Sequence, residues 1–500
     1  MVSKVFSCTF SGLECHIVEV QADIANGLSA FHIVGLGDTS VQESKERVRS
    51  SIRNSGIKFP HTRKTINLAP AQLRKQGPSF DLPIAVSILL ASNQIPANSF
   101  NDSVIIGELS LTGKVKAIPG ALAIAQHAKE QGFKNIYLPA ENAREASFIQ
   151  GLKIFPVTSL LQLVEHSFKN NISPTTSTSI PLATNADYDP FASIIGHSKI
   201  KRALAVAAAG GHNVLLTGSP GCGKTLLCRA FQYLLPPMTT DEALQTTKIH
   251  SIAGRLPTAQ PLITRRPFRE VHHTASPIAL IGGSNPPQPG EISLAHNGVL
   301  FLDEIAEFPR KTLEVLRQPL EDRKISITRS RSTHTFPCNF ILLATMNPCP
   351  CGFNTDDKVP CICPEGTIRR YQKRLSGPMR DRFDLILDVK RSKMQKLFSP
   401  PDTPTHHQIL QSITTATSFQ HERFHHYPHT SKNAEMPLRQ IRKFCTIDHS
   451  SRQLLEQTQR QRHLSNRAYL KILRLARTIA DMEGAAKITR NHLTEAIHYQ

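Results

Sequence analysis

The chain predicts an α/β fold: a nucleotide-binding core, with a second α/β unit before it and a helical region after it. Three observations lead there. Short apolar runs alternate with amphipathic stretches along most of the sequence. One such run, residues 213–217, feeds the loop Gly218-Ser219-Pro220-Gly221-Cys222-Gly223-Lys224-Thr225, which fits G-x-x-x-x-G-K-[ST]. Residues 466–482 place Leu470, Leu473, Leu475, Ala476 and Ile479 on one helical stripe.

Residues 1–166 read as one α/β unit. Strand-like runs lie at 15–20, 30–34, 66–68, 104–106 and 136–138, with helices predicted over 41–55, 82–91 and 120–131. Residues 167–190 are polar and aperiodic, poor in large apolar groups, and predict a flexible linker.

The core is expected over 191–389. An alanine-rich helix, 199–210, precedes the glycine loop, and a helix over 226–235 follows it, closed by Pro236-Pro237. A strand feeding a glycine loop and a helix N-terminus turns backbone N–H groups toward phosphate. Gly218 to Leu226 is therefore the expected ATP cradle, with Lys224 on the β- and γ-phosphates and the Thr225 hydroxyl on Mg²⁺.

Residues 298–304 form a second apolar strand and deliver Asp303 and Glu304 at its end. Asp303 is expected to hold Mg²⁺ through water and Glu304 to polarise the attacking water. Strand 341–347 ends in Asn347, which can orient water or sense the γ-phosphate; a strand-end asparagine opening a turn before Pro348 is the alternative.

Between these strands, 324–328 alternates with Ile325 and Ile327 on one face, and 332–336 reads as its return strand. That leaves Arg329-Ser330-Arg331 at the tip of a hairpin, able to track DNA phosphates or simply to form an exposed basic turn.

Four of the ten cysteines lie within residues 349–363: Cys349, Cys351, Cys361 and Cys363, in the pattern C-x-C-x₉-C-x-C. The segment has too few apolar side chains for a core, and a tetrahedral Cys₄ Zn²⁺ site would fix it directly behind Asn347. The spacing is tighter than the usual C-x₂-C, so free thiols in a turn are the alternative. Residues 390–438, rich in histidine, proline and threonine, fit no metal pattern and are expected to be a poorly defined, solvated connector; a C-terminal helical lid follows over 439–500.

The net charge is +20, with 59 Lys+Arg against 39 Asp+Glu, and residues 1–180 account for only +4 of it. A basic charge concentrated on the nucleotide-binding part points to a polyanionic partner, most often nucleic acid. No apolar run reaches the ~18 residues of a spanning helix and no signal-peptide pattern opens the chain, so no membrane association is expected. Cysteine usage suits a reducing, cytoplasmic setting.

The order phosphate loop, acidic strand, asparagine strand is similar to that of AAA+ ATPases. That resemblance implies an arginine donated from the region of Arg382 into a neighbouring subunit, with Arg374 and Arg380 as local competitors, and Arg467 as the sensor-2 candidate. Separately, 77–79 and 107–120 resemble the Lon proteolytic domain (ribosomal S5 domain 2-like). Ser79 falls at the nucleophile position, but the chain runs Gly120-Ala121-Leu122-Ala123-Ile124-Ala125, with no activating lysine. The unit is expected to be Lon-like in fold and inactive as a peptidase.

Longer stretches, 266–269 with 272–274, 289–298, 346–352 and 476–481, resemble the magnesium-chelatase-like AAA+ proteins of the competence protein ComM type over nearly the whole chain. The resemblance implies a homo-hexameric ring that moves on single-stranded and branched DNA and drives branch migration during natural transformation, with a recombinase among its candidate partners. It makes Arg382 the preferred finger and Arg467 the preferred sensor 2. A metal-insertion motor is the rival within the same fold, and an ATP-dependent protease is disfavoured by the missing lysine.

Overall fold

Residues 2–178, 189–191, 194–257, 260–284, 287–329, 332–391 and 406–500 are described by the structure, a computed structural model; at Arg329 and Ser332 the description is of backbone alone. Ser330, Arg331 and residues 179–188 of the expected linker lie outside the described residues.

The N-terminal unit is a seven-stranded sheet. Its strands are β1 (Val2–Ser11), β2 (Glu14–Ala25), β3 (Ala30–Val34), β4 (Arg63–Ala69), β5 (Ser103–Ile105), β6 (Asn135–Pro139) and β7 (Lys153–Val157), in the order β3-β4-β2-β1-β5-β6-β7. β1 and β2 form an antiparallel hairpin around Gly12 and Leu13. The helix Asp81–Ala91 is apolar all round and buried along its whole length. Its first residue, Asp81, is a fully buried carboxylate with Arg47 Nε at 2.7 Å.

The core is a five-stranded, all-parallel sheet: β8 (Val214–Thr217), β9 (Phe268–Val271), β10 (Val299–Leu302), β11 (Ile341–Met346) and β12 (Leu385–Asp388), in the order β9-β10-β11-β8-β12. β10 and β11 are buried along their whole length, which is why they read as continuous apolar runs rather than alternating ones. Alternate residues still choose different faces. Val214, Leu216, Val299, Phe301, Ile341 and Leu343 pack into one cluster with the flanking and C-terminal helices. Leu215, Leu300, Leu302, Leu342 and Ala344 pack into the other, with Phe336, Met379 and Phe383.

The C-terminal helices join the first cluster. Of the expected connector, 392–405 lies outside the described residues, but His406–Phe424 is a nineteen-residue helix. Its buried residues Ile409, Ile413, Ala416, Gln420 and Phe424 recur at helical spacing, and Gln420 Nε2 donates to Ala209 O at 3.0 Å. A largely buried network ties it to the helix Asn466–Met482: Arg423 Nη1 donates to Asp481 Oδ2 at 2.7 Å, and Arg477 Nε to Asp481 Oδ1 at 3.0 Å.

Among the described residues, the two α/β units meet along the helix Thr240–Ile252 and at the hairpin that follows β10. Gly120 N donates to Ser251 O at 3.2 Å, and Ile252 is buried in the cluster of the N-terminal sheet. Beyond that, the β1–β2 turn sits on the hairpin Lys324–Arg329/Ser332–Pro337, where a Cβ built on Gly12 would lie 3.1 Å from His334 Cβ. Among the described residues no helix is long and apolar enough to cross a membrane.

Candidate nucleotide site

In a parallel sheet, loops at the carboxyl ends of adjacent strands share one crevice. Here β11 lies between β8 and β10, so the loops that leave those three strands meet. The glycine loop leaves β8 and ends at Gly223, immediately before the helix Lys224–Phe231. Nothing lies within 4 Å of a Cβ built on Gly221 or Gly223, so the loop's concave side has room for phosphate oxygens against backbone N–H groups.

Lys224 crosses the crevice. Its Nζ donates to Gly218 O at 2.7 Å, to Ser219 O at 3.0 Å and to Asn347 Oδ1 at 3.1 Å. Burial lowers its pKa from the ordinary lysine value. Thr225 Oγ1 lies 3.4 and 3.3 Å from the two carboxylate oxygens of Asp303. A hydroxyl beside a carboxylate is the oxygen donor set that Mg²⁺ takes, and the residues present fit it.

One residue here escapes a motif reading. The Thr345 hydroxyl, on β11 and fully buried, donates to Asp303 Oδ1 and accepts from Glu304 N at 2.9 Å. Glu304 holds a left-handed conformation, φ 52°, uncommon for a residue other than glycine, and that turn redirects its side chain after the strand. A lone threonine in an apolar strand gives no signal in sequence.

The two remaining site arginines are elsewhere. Arg382 precedes β12 at the amino-terminal edge of the sheet, where Asn213 Nδ2 donates to its carbonyl at 2.9 Å. The glycine loop leaves the opposite edge, roughly 13 Å away by the rise of a four-residue strand. Arg382 Nη2 bonds Glu321 Oε1 at 2.6 Å, and Arg467 bonds the same oxygen, so the two lie together and apart from this chain's own glycine loop. Of the competitors, Arg374 pairs with Glu307 at 2.8 Å and Arg380 is exposed.

The four cysteines do come together. Their Sγ atoms all lie within 4.8 Å of one another, with Cys349–Cys351 at 3.3 Å and Cys361 at 3.6 Å from each. A tetrahedral Zn²⁺ with 2.3 Å bonds spaces its sulfurs by about 3.8 Å, so the cluster fits one ion. Backbone N–H groups of Phe353 and Ile362 pull the Cys351 thiol down to about 6, toward the thiolate that binds metal.

The hairpin pairs Lys324–Arg329 with Ser332–Pro337, with Arg329 opposite Ser332. Ile325, Ile327 and Phe336 are buried.

Comparison with known proteins agrees with this geometry. The family "Magnesium chelatase, subunit ChlI" matches residues 190–397, "Subunit ChlI of Mg-chelatase" matches 20–142, and "Magnesium chelatase, subunit ChlI C-terminal" matches 404–500. YifB of Salmonella typhimurium is 41% identical over 98% of this chain and 95% of its own length. Competence protein ComM of Haemophilus influenzae is 38% identical over 99% and 97%. The chain belongs to the ComM-like, magnesium-chelatase-like AAA+ proteins. The 67 kDa magnesium-chelatase subunit of Heliobacterium mobile is similar over 42% of the chain, at 26% identity. Membership of this AAA+ family implies an ATPase that uses ATP and Mg²⁺.

Proposed function

We propose that this ComM-like protein is a hexameric, ring-forming ATPase that moves on DNA and drives branch migration of recombination intermediates in natural transformation. The observation that carries the reading is the position of the hairpin. It stands in the chain between β10, which delivers Asp303 and Glu304, and β11, which delivers Asn347. A change at the γ-phosphate would move both strands that flank a basic hairpin, and a hairpin arginine holding a DNA phosphate would move with them.

In this reading Lys224 and the loop amides hold the phosphates, Thr225 and Asp303 hold Mg²⁺, and Glu304 activates water beside Asn347. Held by Thr225 and Asp303, Mg²⁺ would supply charge neutralisation for the transferred phosphate. Arg382 and Arg467, at the far edge of the sheet, serve the site of a neighbouring subunit. Cys349, Cys351, Cys361 and Cys363 hold Zn²⁺. The name of the Haemophilus relative supports competence as the setting, and the net charge of +20 suits DNA; a recombinase partner belongs to the same proposal. The N-terminal unit is Lon-like and without peptidase activity, Ser79 having no lysine base.

A test is the double substitution Arg329→Ala/Arg331→Ala. Hexamers and basal ATPase should persist, DNA binding should weaken and become less salt-sensitive, and branch migration on a synthetic Holliday junction should fail. Normal migration by that variant would overturn the hairpin's role. Attention would then move to the basic stretch of Arg265, Arg266 and Arg269, where Arg266 is bound to Glu242, Pro236 O and Asn297 O, Arg269 to Glu291, and Arg265 is exposed.

The similarity to the Heliobacterium subunit favours one other reading, a metal-insertion motor. DNA-stimulated ATP hydrolysis separates the two, since a chelatase motor has no reason to respond to DNA.

A further inference from the structure

The segment carrying the four cysteines grips the glycine loop from outside. Gly352, next to a ligand cysteine, lies so close to Pro220 that a Cβ on it would be 2.5 Å from Pro220 Cδ. Asp356, its side chain almost wholly buried, accepts from Lys358 N at 2.9 Å and Val359 N at 3.1 Å, and lies beside Ser219. Those bonds hold its carboxyl below the usual aspartate range. Arg391, just beyond β12, closes the arrangement: its Nε pairs with Asp356 Oδ2 at 3.1 Å and its Nη2 donates to Pro220 O at 3.3 Å. From the other side, Asn347, two residues before Cys349, accepts from Lys224.

Two consecutive loop residues, Ser219 and Pro220, and the loop's lysine are thus each held by groups anchored within five residues of a cysteine or paired with one that is. A segment without an apolar core takes its shape from whatever ties its sulfurs. We propose that the four-cysteine metal site is a clamp on the phosphate loop: with Zn²⁺ bound, Asp356 and Arg391 are positioning residues that hold Ser219 and Pro220 in the phosphate-binding shape, and loss of the ion relaxes the loop and weakens nucleotide binding.

The inference rests on the reading of the glycine loop as the ATP site, and the experiment separates the two. The full-length protein, its zinc counted, is titrated with a fluorescent ATP analogue in excess Mg²⁺, before and after treatment with a zinc-selective chelator. Lys224→Ala is the control: if the parent binds no analogue, or binds it as Lys224→Ala does, the ATP reading itself fails. Given binding, zinc removal should raise Kd about tenfold. Asp356→Ala and Arg391→Ala should keep one Zn²⁺ per chain yet show a similar loss, and stripping zinc from either should add little, because the clamp is already open. Cys361→Ser/Cys363→Ser should behave as the stripped parent. Unchanged affinity after zinc removal, the lack of any bound zinc, or parent-like affinity in both zinc-loaded clamp variants would overturn the proposal.

Discussion

Arg382 and Arg467 converge on a single carboxylate oxygen of Glu321. One arginine comes from the amino-terminal edge of the core sheet and the other from the start of the helix Asn466–Met482. Two guanidinium groups share that spot because a carboxylate stands between them. Burial, and after it the charge of Arg467, lowers the pKa of Arg382, while Arg467 and Arg382 lower that of Glu321. Glu321 sits in the short helix Arg317–Asp322, which leads straight into the hairpin at Lys324.

That placement predicts hydrolysis that needs assembly. Arg382→Ala should bind ATP and turn it over poorly. Mixing it with Lys224→Ala subunits should restore part of the rate, because an intact phosphate loop then meets an intact arginine. A monomer hydrolysing ATP at the full rate would refute the arrangement.

Thr345→Val keeps the shape of β11 and removes the hydroxyl that joins Asp303 to the Glu304 amide. We expect the ATP concentration needed for half saturation to change little, the Mg²⁺ requirement to rise, and kcat to fall about tenfold, less than the roughly 10²–10⁴-fold that a general base itself supplies, because Thr345 only positions the acidic pair. Steady-state kinetics over a Mg²⁺ series would measure it, and an unchanged Mg²⁺ requirement would count against the role of Thr345.

His296 should make the protein acid-labile. Burial lowers its pKa from 6.5 to about 4, and its Nδ1 accepts from Asn339 N at 3.0 Å. The neutral form is therefore the folded one. This contribution is complete above pH 6.5, is lost as pH falls from there toward 4, and amounts to about 3 kcal/mol across the window. Denaturant unfolding at pH 7 and pH 4.5 should show the loss, and His296→Gln should show a smaller difference between the two.

Asp481→Ala should be among the more damaging single substitutions in the lid. It strands the nearly buried guanidinium of Arg477 and that of Arg423, and removing one partner of a buried pair costs about 3–5 kcal/mol. Urea unfolding checks it; a cost below about 1 kcal/mol would mean that water relieves both arginines.

The parts of this fold that could be read in the sequence are those whose signal is local. The strand–glycine loop–helix unit, the run into Asp303 and Glu304, and the stripe of Asn466–Met482 each state their structure within twenty residues. The strand Val2–Ser11 did not, because Ser7 and Thr9 occupy buried positions where its alternation would need apolar side chains. The helix His406–Phe424 was hidden in the same way: histidine and threonine crowd its exposed faces, and Gln420 fills a core position by bonding to a backbone carbonyl. Glu321, Thr345, Asp356 and Arg391 take their roles from partners far along the chain, so only the folded arrangement identifies them.

The seat of the β1–β2 turn on the hairpin has a mechanical consequence. Gly12 meets His334 with no space for even a methyl group to spare, so the hairpin's return strand cannot swing toward the first sheet without pushing it. That sheet is itself pinned to the core by Gly120 and Ser251, a second point well away in the chain. A body held at two points is a strut. If the hairpin moves with nucleotide turnover as proposed, movement in that direction would press on the whole N-terminal unit.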